Sequence, residues 1–298
     1  MKKRISFFFM LFPALCFSCR PGGRQDNTML FARDNLLAWC IVPFDSKERT
    51  PEERATMLNE LGIKQFVYDW RTKHIPSFPD EIEALKKHNI RLAGVWLWVA
   101  PGTMKTLDEG NEQILETIRK NHVQTDFWLG IDNRYFAGLD DEKKFERASS
   151  VIRYIHGRVN KMDCRLNLYN HGDWFGEPIN QIKIIEKTGL KDIGIVYNFH
   201  HAHLQINDFP VLLKKMLPYL KAVNINGMKV EGPKILPLGT GDRELEMLKT
   251  LKASGYDGPI GIIGHVEDMD VKVVLERNLN GLRSLLKTMG DSTALKTY

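Results

Sequence analysis

A chain of 298 residues, 43% hydrophobic and 27% charged, holds enough apolar content for one large core, and a single α/β barrel runs to about this length. Three of the positive charges behind the formal +5, Lys2, Lys3 and Arg4, sit at the extreme N-terminus, so the remainder is closer to neutral. With no basic stripe carrying interleaved aromatics, nothing marks nucleic acid as a partner.

Those three charges precede an apolar stretch from Ile5 to Phe17 that is too short to span a bilayer as a mature helix, so residues 1–18 read as a secretory signal. The run L-C-F-S-C (15–19) resembles a bacterial lipoprotein processing site in which Cys19 becomes the lipidated N-terminus. Cys16 and Phe17 stand where Leu and a small residue are usual, which keeps ordinary signal cleavage open. The polar stretch R-P-G-G-R-Q-D-N (20–27) makes residues 19–30 a flexible tether. The expected location is therefore exported, either as a membrane-anchored lipoprotein held only by its N-terminal lipid or as a periplasmic protein. Cys40 and Cys164 fall in strands and read as core residues, although an exported location permits a disulfide.

Between residues 31 and 290, eight short apolar runs alternate with eight amphipathic, charge-rich runs, which predicts a single (β/α)8 TIM barrel. The strands are read as Leu36 to Val42, Gln65 to Trp70, Leu92 to Val99, Asp126 to Ile131, Cys164 to Tyr169, Gly194 to Asn198, Ala222 to Ile225 and Pro259 to Ile263. Their near-continuous hydrophobicity suits strands buried on both faces. Among the helices, one opens at Pro51 behind the N-cap Thr50, one runs from Asp140 to Arg158, and one follows T-G-D-R-E (240–244), where Thr240 or Asp242 can cap. No G-x-G-x-x-G follows the first strand, which argues against an open doubly wound sheet. Residues 291–298 are expected to be a disordered tail.

Binding and catalytic side chains of a barrel gather where its strands end. Strand two ends in Y-D-W-R, making Asp69 the first carboxylate candidate, with a general-base role if burial raises its pKa. Pairing of Asp69 with Arg71 or His74 to brace a loop is the plain alternative. Trp96 and Trp98 alternate with Leu97 and share a face, which either lines a pocket or packs on helices; Trp128 and Trp174 offer further flat surfaces. Asp132 is the next carboxylate. Asn170, Asn224 and Asn226 suit hydrogen bonds to a polyol or to backbone. Lys229 and Glu231 are weaker candidates, Glu177 reads as a helix start, and the G-T-G-D turn (239–242) could hold an anion or be a cap.

The stretch L-G-T-G-D-R-E-L-E-M-L-K-T-L-K-A-S-G-Y-D-G-P-I-G-I-I (238–263) resembles the xylose isomerase-like superfamily of sugar phosphate isomerases and epimerases, and the likeness runs from Leu36 to about Leu286. In metal-dependent members of that family a Glu, an Asp, a His and a Glu from four strands hold the ion. Aligned phrase by phrase, those ligands fall on Tyr169, Asn198, Asn224 and Gly264 or His265. None of the four types is present, so the resemblance implies that the standard divalent-metal site is lost. The alternative cofactor is a transition ion on His171, His201 and His265, with His201 the pocket-facing member of the His200–His201 pair by the same alignment. The expected function is then an exported, sugar isomerase- or epimerase-like or lyase-type enzyme acting on a small carbohydrate, either a free sugar or a glycoside. Asp69, His171, His201 and His265 would share the chemistry, while Trp96, Asn170, Asn198, Asn224, Asn226 and Arg71 bind substrate. A surface lipoprotein that binds carbohydrate without converting it is the competing expectation.

Overall fold

A computed structural model describes residues 29–102 and 107–298; the expected signal segment, Cys19 and nearly all of the tether lie outside the described residues. Eight parallel strands close into a barrel in chain order: β1 Leu36–Trp39, β2 Gln65–Tyr68, β3 Arg91–Val99, β4 Asp126–Ile131, β5 Arg165–Tyr169, β6 Gly194–Asn198, β7 Leu220–Ile225 and β8 Ile260–Ile263. Closure comes from β1 pairing with β8, Leu36 beside Ile260 through Trp39 beside Ile263. Helices cover the outside: α1 Pro51–Glu60, α2 Phe78–Lys87, α3 Glu109–Lys120, α4 Asp141–Val159, the short α5 Asp173–Gly176, α6 Pro178–Thr188, α7 Phe209–Met216, α8 Glu244–Ala253, α9 Val271–Met289 and the short α10 Ser292–Leu295. Among the described residues, no helix is long and apolar enough to cross a membrane.

The apolar residues divide into two cores because a strand presents alternate side chains to opposite faces. The larger core lies between sheet and helices; a smaller one fills the barrel interior with Leu37, Trp39, Val67, Trp128, Tyr169 and Ile263 among its members. The local signals behave as their chemistry requires. Thr50 accepts from Glu53 N while Glu53 reaches back to Thr50 N, a capping box with Pro51 at the first helical position.

Four expectations are corrected. The carboxylate of Glu244, not Thr240 or Asp242, accepts the backbone N–H groups of Gly239 and Gly241, so an internal acid already fills the place an anion would take. Asp242 instead takes Lys229 Nζ and Val230 N, each at 2.8 Å. Residues 291–298 are no disordered tail: α10 follows an Asp291 cap, Ala294 is buried, and the Tyr298 hydroxyl donates to Phe31 O at 2.9 Å. Leu30, assigned to the tether, is likewise buried. Cys40 follows β1 and Cys164 precedes β5, at opposite ends of parallel strands, so both are free thiols.

Candidate active site

The strand ends open into a cavity of about 750 Å³, a size that encloses a small ligand. Its deep end is made by Trp39, Cys40, Asp69 and Tyr169, all buried. Trp96 and Trp98 form one wall, with their rings nearly parallel at 5.7 Å. That wall depends on Gly130 of β4, where a Cβ would stand 2.6 Å from the Trp98 ring and 2.9 Å from that of Trp96. His171, His200, His201, Phe44 and His265 continue the lining, and Trp70, Arg71, Glu109 and Gln113 reach it at the mouth.

Asp69 stands just past β2 and is 3% exposed. Its Oδ1 accepts from Val42 N at 3.3 Å, while Oδ2 is buried with no hydrogen-bond partner. Desolvation dominates and lifts the carboxyl to about 7, against the lowering pull of the Arg71 charge. Both groups that could have made Asp69 a loop brace are engaged elsewhere. Arg71 donates from Nη1 to Trp70 O at 2.9 Å and lies over the Phe44 ring, while His74 Nδ1 accepts from Arg71 N at 3.0 Å. The Cys40 thiol is raised by burial and by the same carboxylate, and its backbone holds the left-handed conformation with φ of 57°. As the first residue past β1, Cys40 thus turns the chain out of the strand path at the end of the cavity.

The chain after β6 winds at once into a 3-10 segment, Phe199–Asp208, so strand alternation does not govern it. His200 and His201 therefore both line the cavity, their rings 3.8 Å apart, which corrects the expectation that one would face away. His171 lies 4.4 Å from His201 and 4.8 Å from Trp98; the ring facing His265 is that of His200, at 5.9 Å. Burial lowers His171 to about 4 and pushes His200, His201 and His265 down as well. At neutral pH these imidazoles are uncharged hydrogen-bonding groups. His265 stacks on Phe44 at 3.7 Å with its Nε2 3.4 Å from Glu267, so it does not join His171 and His201 in a ligand set. Among the described residues, no group of three His, Cys, Asp or Glu is placed to hold a metal ion.

No protein-family model matches the sequence, and no curated protein matches it. Solved structures do. An L-ribulose 3-epimerase superposes with a TM-score of 0.66 at 13% identity over 90% of this chain and 98% of that one. The 3-keto-D-glucoside 4-epimerase of E. coli gives 0.63 at 14% identity over 86% and 99%, and a D-psicose 3-epimerase in the presence of D-fructose gives 0.61 at 14% over 86% and 99%. The fold is the xylose isomerase-like barrel. Likeness at such identity is one of fold, and the site must speak for the chemistry.

At the four aligned positions this barrel offers no home for a divalent ion. The Tyr169 hydroxyl already accepts from Trp39 Nε1 at 3.1 Å and from Asn198 Nδ2, and burial holds the phenol protonated. Asn198 and Asn224 are fully buried and do not line the cavity. At Gly264 a Cβ would stand 2.7 Å from Ile41 Cγ2 and 2.9 Å from Cys40 O, so no carboxylate side chain fits there. Neutral oxygens and a missing side chain do not offset the cost of stripping a hard ion's water.

Of the substrate-binding residues expected from sequence, Trp96 and Arg71 line the cavity and the four asparagines do not. Asn170 clips β5 to β6: its Nδ2 donates to Asn198 O at 3.1 Å and its Oδ1 accepts from Asn198 N at 2.7 Å. Asn226 donates to Gly227 O and Lys234 O, holding the loop after β7. Asp132 is bound to Arg134, Trp174 packs on Phe136 and Phe145, Trp128 is buried beneath Tyr169, and His203 contacts Lys229 O. Lys229 pairs with Asp242, and Glu177 caps α6 by position. The sequence reading missed Trp39, Cys40, Phe44, Trp70, Glu109 and Gln113. For Trp39 a signal existed, since it shares a strand face with Leu37 at the end of β1.

Proposed function

We propose that this barrel is a sugar isomerase- or epimerase-like enzyme that moves a proton on a small carbohydrate without a divalent ion, with Asp69 as the base. The observation that carries the reading is a single one: a buried carboxylate at the end of an aromatic cavity, with one oxygen unpartnered and a pKa lifted to about 7. A carboxyl in that range accepts a proton from carbon at neutral pH and returns it. Asp69 takes the hydrogen α to a carbonyl, the C–H electron pair becomes the C=C bond of an enediolate, and the carbonyl π pair moves onto the sugar oxygen, which accepts a hydrogen bond from a neutral imidazole of His171 or His201. For isomerisation the proton held by Asp69 passes to the former carbonyl carbon while the neighbouring hydroxyl gives its proton to the enediolate oxygen; for epimerisation the α carbon takes a solvent-derived proton on its other face and Asp69 releases its own to solvent. Loss of a β-substituent from the same enediol gives the lyase outcome. The indoles of Trp39 and Trp96 suit the C–H faces of a sugar ring.

Deuterium uptake from D2O into a panel of ketoses, aldoses and keto-glycosides, followed by mass spectrometry, tests the reading. Exchange by the wild-type chain that falls roughly 10²- to 10⁴-fold in Asp69→Asn supports it; exchange undiminished in that variant removes Asp69 from the chemistry. The competing reading, a carbohydrate-binding module, is favoured by the spending of Tyr169 and Asn170 on structural bonds, and sugar binding with no exchange would establish it.

Export with a lipid on Cys19 belongs to the same proposal. It is supported by the basic start, the apolar run Ile5 to Phe17 and the Ser18-Cys19 junction. Incorporation of labelled palmitate that is lost in Cys19→Ala is the expected result; processing without label points to a free periplasmic protein.

A further inference from the structure

We infer that the carbohydrate taken by this cavity is a glycoside, whose second ring or aglycone sits in an outer subsite formed by Trp98, Trp70 and the first turn of α3. The inference rests on the sugar reading above and narrows its substrate class.

The cavity is larger than one sugar ring needs, and its lining changes character along its length. At the deep end are Asp69 and Tyr169. At the mouth, indole faces stand beside uncharged and charged hydrogen-bonding side chains, the combination that orients a polyol on an apolar surface. Trp39, Trp96 and Trp98 make a ladder of indoles, 5.9 Å and then 5.7 Å between neighbouring ring centroids. The first is buried and the other two are partly exposed, so the ladder climbs from the reacting end toward solvent. A single ring resting by Asp69 uses the lower part and leaves Trp98 uncovered.

The outer wall is built, not incidental. Asn111, 1% exposed on α3, donates from Nδ2 to Trp98 O at 2.8 Å and accepts from Trp98 N at 3.4 Å, so the start of α3 is clipped to β3 beside the last indole. Trp70 is fixed by its Nε1–H, which donates to Trp96 O at 2.8 Å. Gly110 completes the fit, because a Cβ there would stand 3.0 Å from the Trp70 ring and hold the helix away. The same turn brings Glu109 and Gln113 to the lining, joined to each other at 3.1 Å. These two present an acceptor and an amide to ring hydroxyls next to the exposed indole faces.

Isothermal titration of the exported chain tests the assignment, with glucose, galactose and mannose set against their α- and β-linked disaccharides and p-nitrophenyl glycosides. At least one two-ring ligand should bind about tenfold or more tightly than its monosaccharide, the scale of a good aromatic contact. Trp98→Ala should remove most of that advantage while weakening monosaccharide binding far less. Gln113→Ala, at the exposed mouth of the cavity, should reduce it in a protein whose thermal unfolding matches wild type. Monosaccharides that bind as tightly as every two-ring ligand overturn the glycoside assignment and leave the sugar reading standing. Binding by neither kind overturns both.

Discussion

The base role proposed for Asp69 rests on what it lacks: one oxygen has a backbone donor, the other has none, and among the described residues no ion pair is formed with it. The cost is a stability that falls as the solution becomes alkaline. Its folded pKa of about 7 lies above the unfolded value near 3.9, so its contribution is fully present below about pH 4 and is lost as pH rises through 7, up to roughly 4 kcal/mol. His171 runs the other way. Held near 4 when folded, against about 6.5 unfolded, it contributes above pH 6.5 and loses that contribution as pH falls through 4. The two trends mix in a plain pH scan, but their difference isolates the carboxylate. Asp69→Asn should raise the unfolding temperature over wild type at pH 8 and by much less at pH 4.5, read by scanning calorimetry at both pH values; an equal effect at both would contradict a raised Asp69. At this scale the sequence exposed Asp69 through its place after an apolar strand and among aromatic residues. It could not expose the asparagines' true roles, since whether an amide meets a ligand or a neighbouring backbone depends on the partner strand. Asn170 and Asn198 close a two-way clip on each other's strands, and nothing in N-H-G-D or Y-N-F-H announces that pairing.

At the level of strands, β7 and β8 show how the inner barrel is sealed. Asn224 fills the space that a Cβ at Gly261 would need, the two standing 1.7 Å apart if Gly261 carried one. Gly261→Ala alone should therefore destabilise by about 1–3 kcal/mol through overpacking. Combining it with Asn224→Ala should recover much of that loss in urea unfolding, a coupling that independent sites would not show. Strand positions were legible because buried parallel strands are continuous apolar runs, and β4 and β6 begin and end where the pattern placed them. The segment after β6 was not, because H-H reads as a strand extension while the chain has already turned into a 3-10 helix. The C-terminal residues misled for a related reason: they are short and polar, and their order comes from tertiary bonds such as Arg33 N to Thr297 Oγ1 at 2.9 Å.

Across the whole molecule, the closed barrel shares its fold with the sugar epimerases it superposes on, and its own cavity is lined by indole, phenol and imidazole rings. Glycines at 130, 261 and 264 shape that interior, since each makes room for a neighbour where a side chain would collide. The sequence carried this much plainly: the four aligned positions are Tyr169, Asn198, Asn224 and Gly264 or His265. The aromatic character of the cavity was legible only in part: Trp96 and Trp98 of β3 stood out, while Trp39 of β1, Phe44, and Trp70 of the loop after β2 come together only when the barrel closes. The central claim is proton transfer by Asp69 in a pocket that has no use for a divalent ion. Its most direct measurement is deuterium uptake into the best sugar ligand by protein stripped with EDTA, with and without added manganese, cobalt or zinc. The expected result is exchange that survives stripping, is unchanged by each ion and disappears in Asp69→Asn. Exchange that vanishes with EDTA and returns with a stoichiometric metal would contradict it.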